Sequence, residues 1–244
     1  MKQGIFKIVK KVSLAPNVFR MELSGDASGI SAPGQFINIK IDGLYLRRPI
    51  SVFDYDDKSV TVIYKVVGAG TEIMSKMSEG QTLDILSGLG NGYNTDLSGK
   101  HPLLIGGGVG IPPLYNLAKK LLSEGKKVSV ILGFNSSSEI FCEEEFKNLG
   151  ADTFVTTVDG SYGIKGFVTS AMDTDYSYYY ACGPEPMLKA VYEKASTEGQ
   201  MSFEERMGCG FGACMGCTCK TVTGYKRICK EGPVLRSEEI IWKK

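Results

Sequence analysis

Histidine is nearly absent from this chain: His101 is the only one among 244 residues. That scarcity leaves almost no material for a His–carboxylate or Ser–His pair. Nor does one sign of charge dominate. Lysine and arginine number 28 against 27 acids, for a formal net charge of +1. No polyelectrolyte field therefore points to nucleic acid or an anionic membrane as partner. Long apolar runs are missing too, and nothing approaches the roughly 20 residues that span a bilayer. The opening MKQGIFKIVKKVSL alternates apolar with basic residues and has no signal-peptide core. A cytoplasmic protein is expected, with no nucleic-acid or membrane partner. Hard chemistry in a chain so poor in acid–base groups falls to cofactors, and no residue is assigned a catalytic role from the sequence.

The pattern of segments divides the chain in three. From Gly4 to about Leu97, short β-branched or alternating stretches (IFKIVKKVSL, VFRMELSG, GQFINIKI, RPISVFDYD, SVTVIYKVVG, QTLDILSG) are separated by Gly, Pro, Asp and Asn. They predict a small antiparallel barrel over 1–98, with one helix in TEIMSKMSEG. Strands and helices then alternate over 99–199: HPLLIGGG, PPLYNLAKKLLSEG, KVSVILGF, SEIFCEEEFKNLG, DTFVTTVD, GFVTSAM, YSYYYACG and PEPMLKAVYEKAS. That rhythm predicts a doubly wound parallel sheet, the helix SEIFCEEEFKNLG carrying Cys142 on its core face. Residues 200–244 read as a separate cysteine-bearing module.

Seven cysteines are present, five of them between Cys209 and Cys229. A disulfide scaffold spreads its cysteines along a smaller chain, so clustering points to metal. Cys209, Cys214, Cys217 and Cys229 form C-x4-C-x2-C with a distant fourth, the plant-type spacing of a 2Fe-2S cluster. Gly208, Gly210, Gly212 and Gly216 leave room for backbone N–H groups to approach sulfur. Structural zinc and plain buried thiols are the alternatives. Cys219, two residues beyond Cys217 in a strand-like segment, is expected to pack or to lie behind the ligands.

Three further stretches suit nucleotides. LRRPISVFD sets arginines and a hydroxyl at a strand edge, apt for a diphosphate and the polar rim of a flavin. VIYKVVGAGT ends in a Gly-Ala-Gly-Thr turn with backbone donors for phosphate. LLIGGGVGIPPL places Gly106, Gly107, Gly108 and Gly110 between a strand and a helix, although it is not G-x-G-x-x-G. YYYACGPEPML is a second strand-to-helix turn, where Cys182 and Gly183 would face a nicotinamide. Each stretch also reads as an ordinary turn. GFNSSSEIFCEEEF offers several acids and no arginine for a 2′-phosphate, which favours NAD over NADP.

Taken together, RRPIS, GGGVGIPP, CGPEPM and ERMGCGFGACMGC…CKEGPVL make the chain resemble the ferredoxin–NADP reductase superfamily. Within it the resemblance is to the electron-transfer subunits of bacterial NAD-linked dihydroorotate dehydrogenases, along nearly the whole chain. The resemblance implies FAD on Arg48, Pro49, Ile50, Ser51, Ile63, Tyr64 and Lys65, with Gly70 and Thr71 on the diphosphate. It implies a 2Fe-2S cluster on Cys209, Cys214, Cys217 and Cys229, and NAD as electron acceptor. It also implies a separate FMN-containing catalytic subunit, a heterotetramer of two of each, and a place in de novo pyrimidine biosynthesis. Sister enzymes with the same parts remain open: ferredoxin:NADP oxidoreductase, sulfide dehydrogenase and hydrogenase diaphorase subunits. A zinc-stabilised nucleotide-binding regulator is the non-enzymatic alternative.

Overall fold

A computed structural model describes residues 1–242. Six antiparallel strands, β1 (Lys2–Ala15), β2 (Val18–Ser24), β3 (Phe36–Ile39), β4 (Arg48–Asp56), β5 (Ser59–Lys65) and β6 (Thr82–Leu89), close a barrel in the order β1-β2-β5-β4-β3-β6. Alternation decides which side chains fill it. Phe6, Ile8, Met21, Ile37, Ile39, Val60 and Val62 point inward, while Ile5, Lys7 and Val9 face outward. Helix α1 (Ala69–Lys76) follows β5. The predicted Gly-Ala-Gly-Thr turn is the first turn of this helix, because Thr71 Oγ1 accepts from the N–H groups of Val67 and Gly68 and starts it.

The second sheet runs β10 (Ile164–Lys165), β9 (Asp152–Thr157), β8 (Ser129–Phe134), β7 (Pro102–Gly107), β11 (Tyr178–Cys182), β12 (Gly199–Ser202) and β15 (Val234–Arg236). All neighbours are parallel except β15, which returns antiparallel on β12. Helices α2 (Pro112–Ser123) and α3 (Glu143–Leu149) bury Leu114, Leu117, Leu121 and Phe146 on one face. Helix α4 (Glu185–Lys194) buries Leu188 and Val191 on the other. The strand order reverses between β7 and β11, so the ends of these two strands open a crevice. Barrel and sheet share a core: Val18, Phe53 and Ile63 pack with α2, Phe53 stacks on Tyr115 at 4.2 Å, and Asn116 Nδ2 donates to Asp54 at 2.7 Å.

Two expectations need correction. SEIFCEEEFKNLG is not one helix. Phe141 turns inward to meet Phe134 edge-on at 5.4 Å, which breaks the chain between a 3-10 turn at Ser137–Glu139 and α3. Cys142 is therefore buried at the helix start with φ 65°, not on a helix face. Nor does the tail separate cleanly at 200, since β12 spans that point and β15 brings the chain back to the same sheet. Between them, β13 (Thr218–Thr221) and β14 (Gly224–Arg227) form a small hairpin. Among the described residues no helix is long and apolar enough to cross a membrane.

Candidate functional site

The two adjacent arginines part ways. Arg47 turns back onto the barrel, its Nη1 donating to Asp84 O at 2.8 Å and its Nη2 pairing with Asp84 Oδ2 at 2.9 Å. Arg48 instead lies across the first turn of α1, where a Cβ on Gly70 would stand 2.1 Å from its Nε. A side chain there would have to displace the arginine. The first-turn N–H groups of Ala69, Gly70 and Thr71 have no acceptor within the helix, so donors and a guanidinium converge. Thr71 itself offers only its backbone, its hydroxyl being committed to the cap. Pro49, Ile50 and Ser51 follow, half-buried, along β4. Ile63 is sealed into the core shared with α2, and Tyr64 into the barrel. Among the described residues the buried Tyr64 hydroxyl has no partner, and desolvation pushes its phenol upward. The Arg48–Gly70 cradle and this orphaned hydroxyl fit a bound diphosphate-bearing flavin.

At the crevice between β7 and β11 lies a cavity of about 620 Å³. Gly107, Gly108, Gly110 and Gly183 line it, and Lys65 reaches it from the barrel. At Gly110 glycine is required because the two turns meet there backbone to backbone. A Cβ on Gly110 would stand 2.2 Å from Cys182 O, and one on Gly107 2.4 Å from Met187 Sδ. Cys182 sits at the end of β11 behind this wall, so its thiol is buried and is not among the lining side chains. Desolvation, with the Glu204 carboxylate adding to it, pushes that thiol up to about 12 and keeps it protonated. Glu139 also lines the cavity and accepts from Asn135 Nδ2 at 2.9 Å; the lining has no arginine.

All seven cysteines are free thiols. Among the described residues no three His, Cys, Asp or Glu side chains converge as they would on a single ion. The four predicted ligands stand instead as two pairs. Cys209 and Cys214 exchange N–H···S bonds, Cys209 N to Cys214 Sγ at 3.4 Å and Cys214 N to Cys209 Sγ at 3.5 Å, with Ala213 N adding 3.2 Å to Cys209 Sγ. Cys229 N donates to Cys217 Sγ at 3.4 Å, and both of these residues are buried. Desolvation raises the Cys209 thiol, but donors from Cys214, Phe211 and Ala213 outweigh it and hold it down at about 6. Desolvation and the neighbouring Cys217 push Cys229 up to about 12. Two thiol pairs with sulfur-directed N–H groups fit a two-iron cluster. Cys219 lies on β13, half-buried against the apolar cluster that includes Phe36, Cys217 and Ile228.

Sequence reasoning missed three residues. Asn38 of β3 is 1% exposed and donates from Nδ2 to Cys209 O at 3.2 Å. Glu204 lines the cavity beside Cys182, and Phe167 stands exposed at its wall. Only Asn38 had a signal, a polar residue inside the apolar run FINI.

Fold and site together define a flavin- and nicotinamide-type reductase with an iron–sulfur module docked on its barrel. Residues 104–193 match the oxidoreductase NAD-binding domain family, and residues 204–241 match the iron–sulfur cluster binding domain of dihydroorotate dehydrogenase B. The chain is 41% identical to the dihydroorotate dehydrogenase B (NAD(+)) electron transfer subunit of Geobacillus sp. (strain WCH70), covering 99% of each. It is 42% identical to that of Fusobacterium nucleatum, covering 96% of each. Among solved structures, an NADH-dependent reduced ferredoxin–NADP oxidoreductase chain superposes with TM-score 0.89 at 32% identity, over 98% of this chain and 90% of that one. A flavohemoglobin from Malassezia yamatoensis with bound FAD and heme shares the fold alone, at TM-score 0.67 and 21% identity over 80% of this chain and 56% of that one. The chain belongs to the family of dihydroorotate dehydrogenase B electron transfer subunits.

Proposed function

We propose that this chain passes electrons from the FMN of a dihydroorotate-oxidising partner subunit, through a 2Fe-2S cluster and FAD, to NAD⁺ in pyrimidine biosynthesis. The observation that carries the reading is the docking of the paired thiols against the barrel strand next to the flavin motif, in a chain alike over its whole length to such subunits. A flavin accepts electrons singly and gives up a hydride, which is what links a one-electron cluster to a nicotinamide. In this reading Arg48 and the α1 N-terminus hold the FAD diphosphate, and Pro49, Ile50 and Ser51 with the β5 end (Ile63, Tyr64 and Lys65) hold its ring. Gly107, Gly108, Gly110 and Gly183 clear the floor for NAD, while Cys182 backs that floor from behind. Glu139, facing the cavity where an NADP enzyme needs a cation, favours NAD. Cys209 with Cys214, and Cys217 with Cys229, hold the cluster. Residues 1–98, 99–199 and 200–244 divide the labour, with β12 and β15 shared between the last two.

The assembly is a cytoplasmic heterotetramer of two chains of each kind. Its test is co-purification with the FMN subunit, cofactor analysis of both chains and dihydroorotate-dependent NAD⁺ reduction. A C214S chain should lose the cluster and dihydroorotate-linked turnover while keeping NADH-to-dye activity through FAD. A second reading, the small subunit of a ferredoxin:NADP oxidoreductase, is favoured by the 0.89 TM-score superposition. It predicts ferredoxin-linked turnover and none with dihydroorotate.

A further inference from the structure

β3 presents its two faces to two different places. Ile37 and Ile39 enter the barrel core, whereas Phe36 packs outside it with Cys217 and Cys229. Asn38 shares the face of Phe36. In the β3–β4 register Phe36 lies opposite Ser51 and Asn38 opposite Pro49, and directly opposed residues project to the same side with Cβ atoms about 5 Å apart. The cluster-bearing loop and two members of the flavin motif therefore stand on adjacent strands of one sheet face. Asn38 is the polar group between them.

Its amide is fixed on one side only. Nδ2 donates to Cys209 O, while the buried Oδ1 has no partner among the described residues. The loop is shaped around this amide: Gly210 has φ 80°, and a Cβ there would come 2.3 Å from Asn38 Nδ2. The far side of the cysteine segment is clamped separately. Asn91, just beyond β6, donates to Val234 O at 2.7 Å and to Glu231 O at 3.1 Å, and accepts from Val234 N at 3.0 Å. Both ends of the segment are thus held by asparagines of the barrel, and only Asn38 bonds a residue that carries a ligand thiol.

We propose that Asn38 is a positioning residue which, by holding the Cys209 carbonyl against the flavin-binding strand pair, sets the separation and orientation between cluster and flavin. The inference rests on the function proposed above. No bond forms or breaks at Asn38. The passage it serves transfers one electron at a time, and two such passages with one proton from solvent account for the reduction of NAD⁺ to NADH. Electron passage between fixed groups depends steeply on geometry, as positioned reactions generally do.

The test uses the full chain reconstituted with FAD and cluster, as wild type, Asn38→Leu and Asn38→Ser. Three quantities are followed after mixing with NADH: the rate of FAD reduction, the rate of cluster reduction, and the electron paramagnetic resonance spectrum of the reduced cluster. Both variants are expected to keep the cluster and the wild-type rate of FAD reduction, to shift the cluster spectrum, and to slow cluster reduction about tenfold or more. An unchanged spectrum with an unchanged rate overturns the proposal. So does loss of the cluster from both variants, which would make the amide a folding element. A wild-type chain whose flavin NADH fails to reduce sinks the functional reading instead, so the two failures are distinguishable.

Discussion

At the scale of single residues, what was legible depended on how far apart the partners lie in the chain. The two thiol pairs, Cys209 with Cys214 and Cys217 with Cys229, could be singled out because three of the four cysteines sit in one C-x4-C-x2-C run whose spacing is itself the signal. Asn38 could not be placed: a polar residue inside FINI marks the position, but the carbonyl it holds is 171 positions away. Arg47 and Arg48 look equivalent as a pair, yet one is spent on Asp84 and the other faces the α1 N-terminus. That contact yields a prediction. Gly70→Ala would place a methyl 2.1 Å from Arg48 Nε and drive the guanidinium off the helix turn. FAD affinity should fall about tenfold, or ~1.4 kcal/mol, as read by flavin fluorescence titration, with the cluster spectrum unchanged.

Among elements, strands were recovered better than helix starts. The barrel strands announce themselves by alternation, and the parallel strands by short apolar runs with a glycine turn behind β7 and β11. Helix starts failed where tertiary packing overrode local pattern, as at Phe141, or where a threonine hydroxyl converted an apparent turn into a helix, as at Thr71. The seam between β6 and the loop leading to β4 gives a pH prediction. Desolvation raises the Asp84 carboxyl, but Arg47 and Gln3 outweigh it and hold it below its ordinary 3.8. A carboxyl lowered by folding adds stability above its unfolded pKa and loses it as pH falls through the folded one. Urea midpoints should therefore decline below about pH 3.8 in the wild type. In Asp84→Asn that part of the decline should flatten, at a neutral-pH cost of about 1 kcal/mol or less.

For the whole molecule, the division into barrel, sheet and tail was visible in composition, but the interlocking was not. A four-residue strand such as GQMS carries no periodicity long enough to place, and its partner Val234–Arg236 lies beyond the whole cysteine segment. Removing 200–244 would strip both strands from the sheet and bare the β11 edge. Such a truncation should aggregate or lose several degrees of melting temperature. Cys214→Ser, which leaves both strands in place, should retain FAD, dye reduction and most of its thermal stability. Calorimetry and soluble yield of the two variants side by side check this.

The β12–β15 pairing carries one more consequence. Ser202 and Val234 lie opposite each other in register, so the chain departs and re-enters at almost the same point. Everything between them is, topologically, an insert in a hairpin whose stems belong to the reductase. Such an insert cannot swing out on a tether to meet a distant electron donor, because both its ends are anchored; the redox partner must come to it. By the same geometry it is a cassette between two adjacent stems: exchanging residues 203–233 for a short turn would leave the β12–β15 pairing in place and bare the barrel residues Phe36, Leu86 and Leu89 that the segment covers.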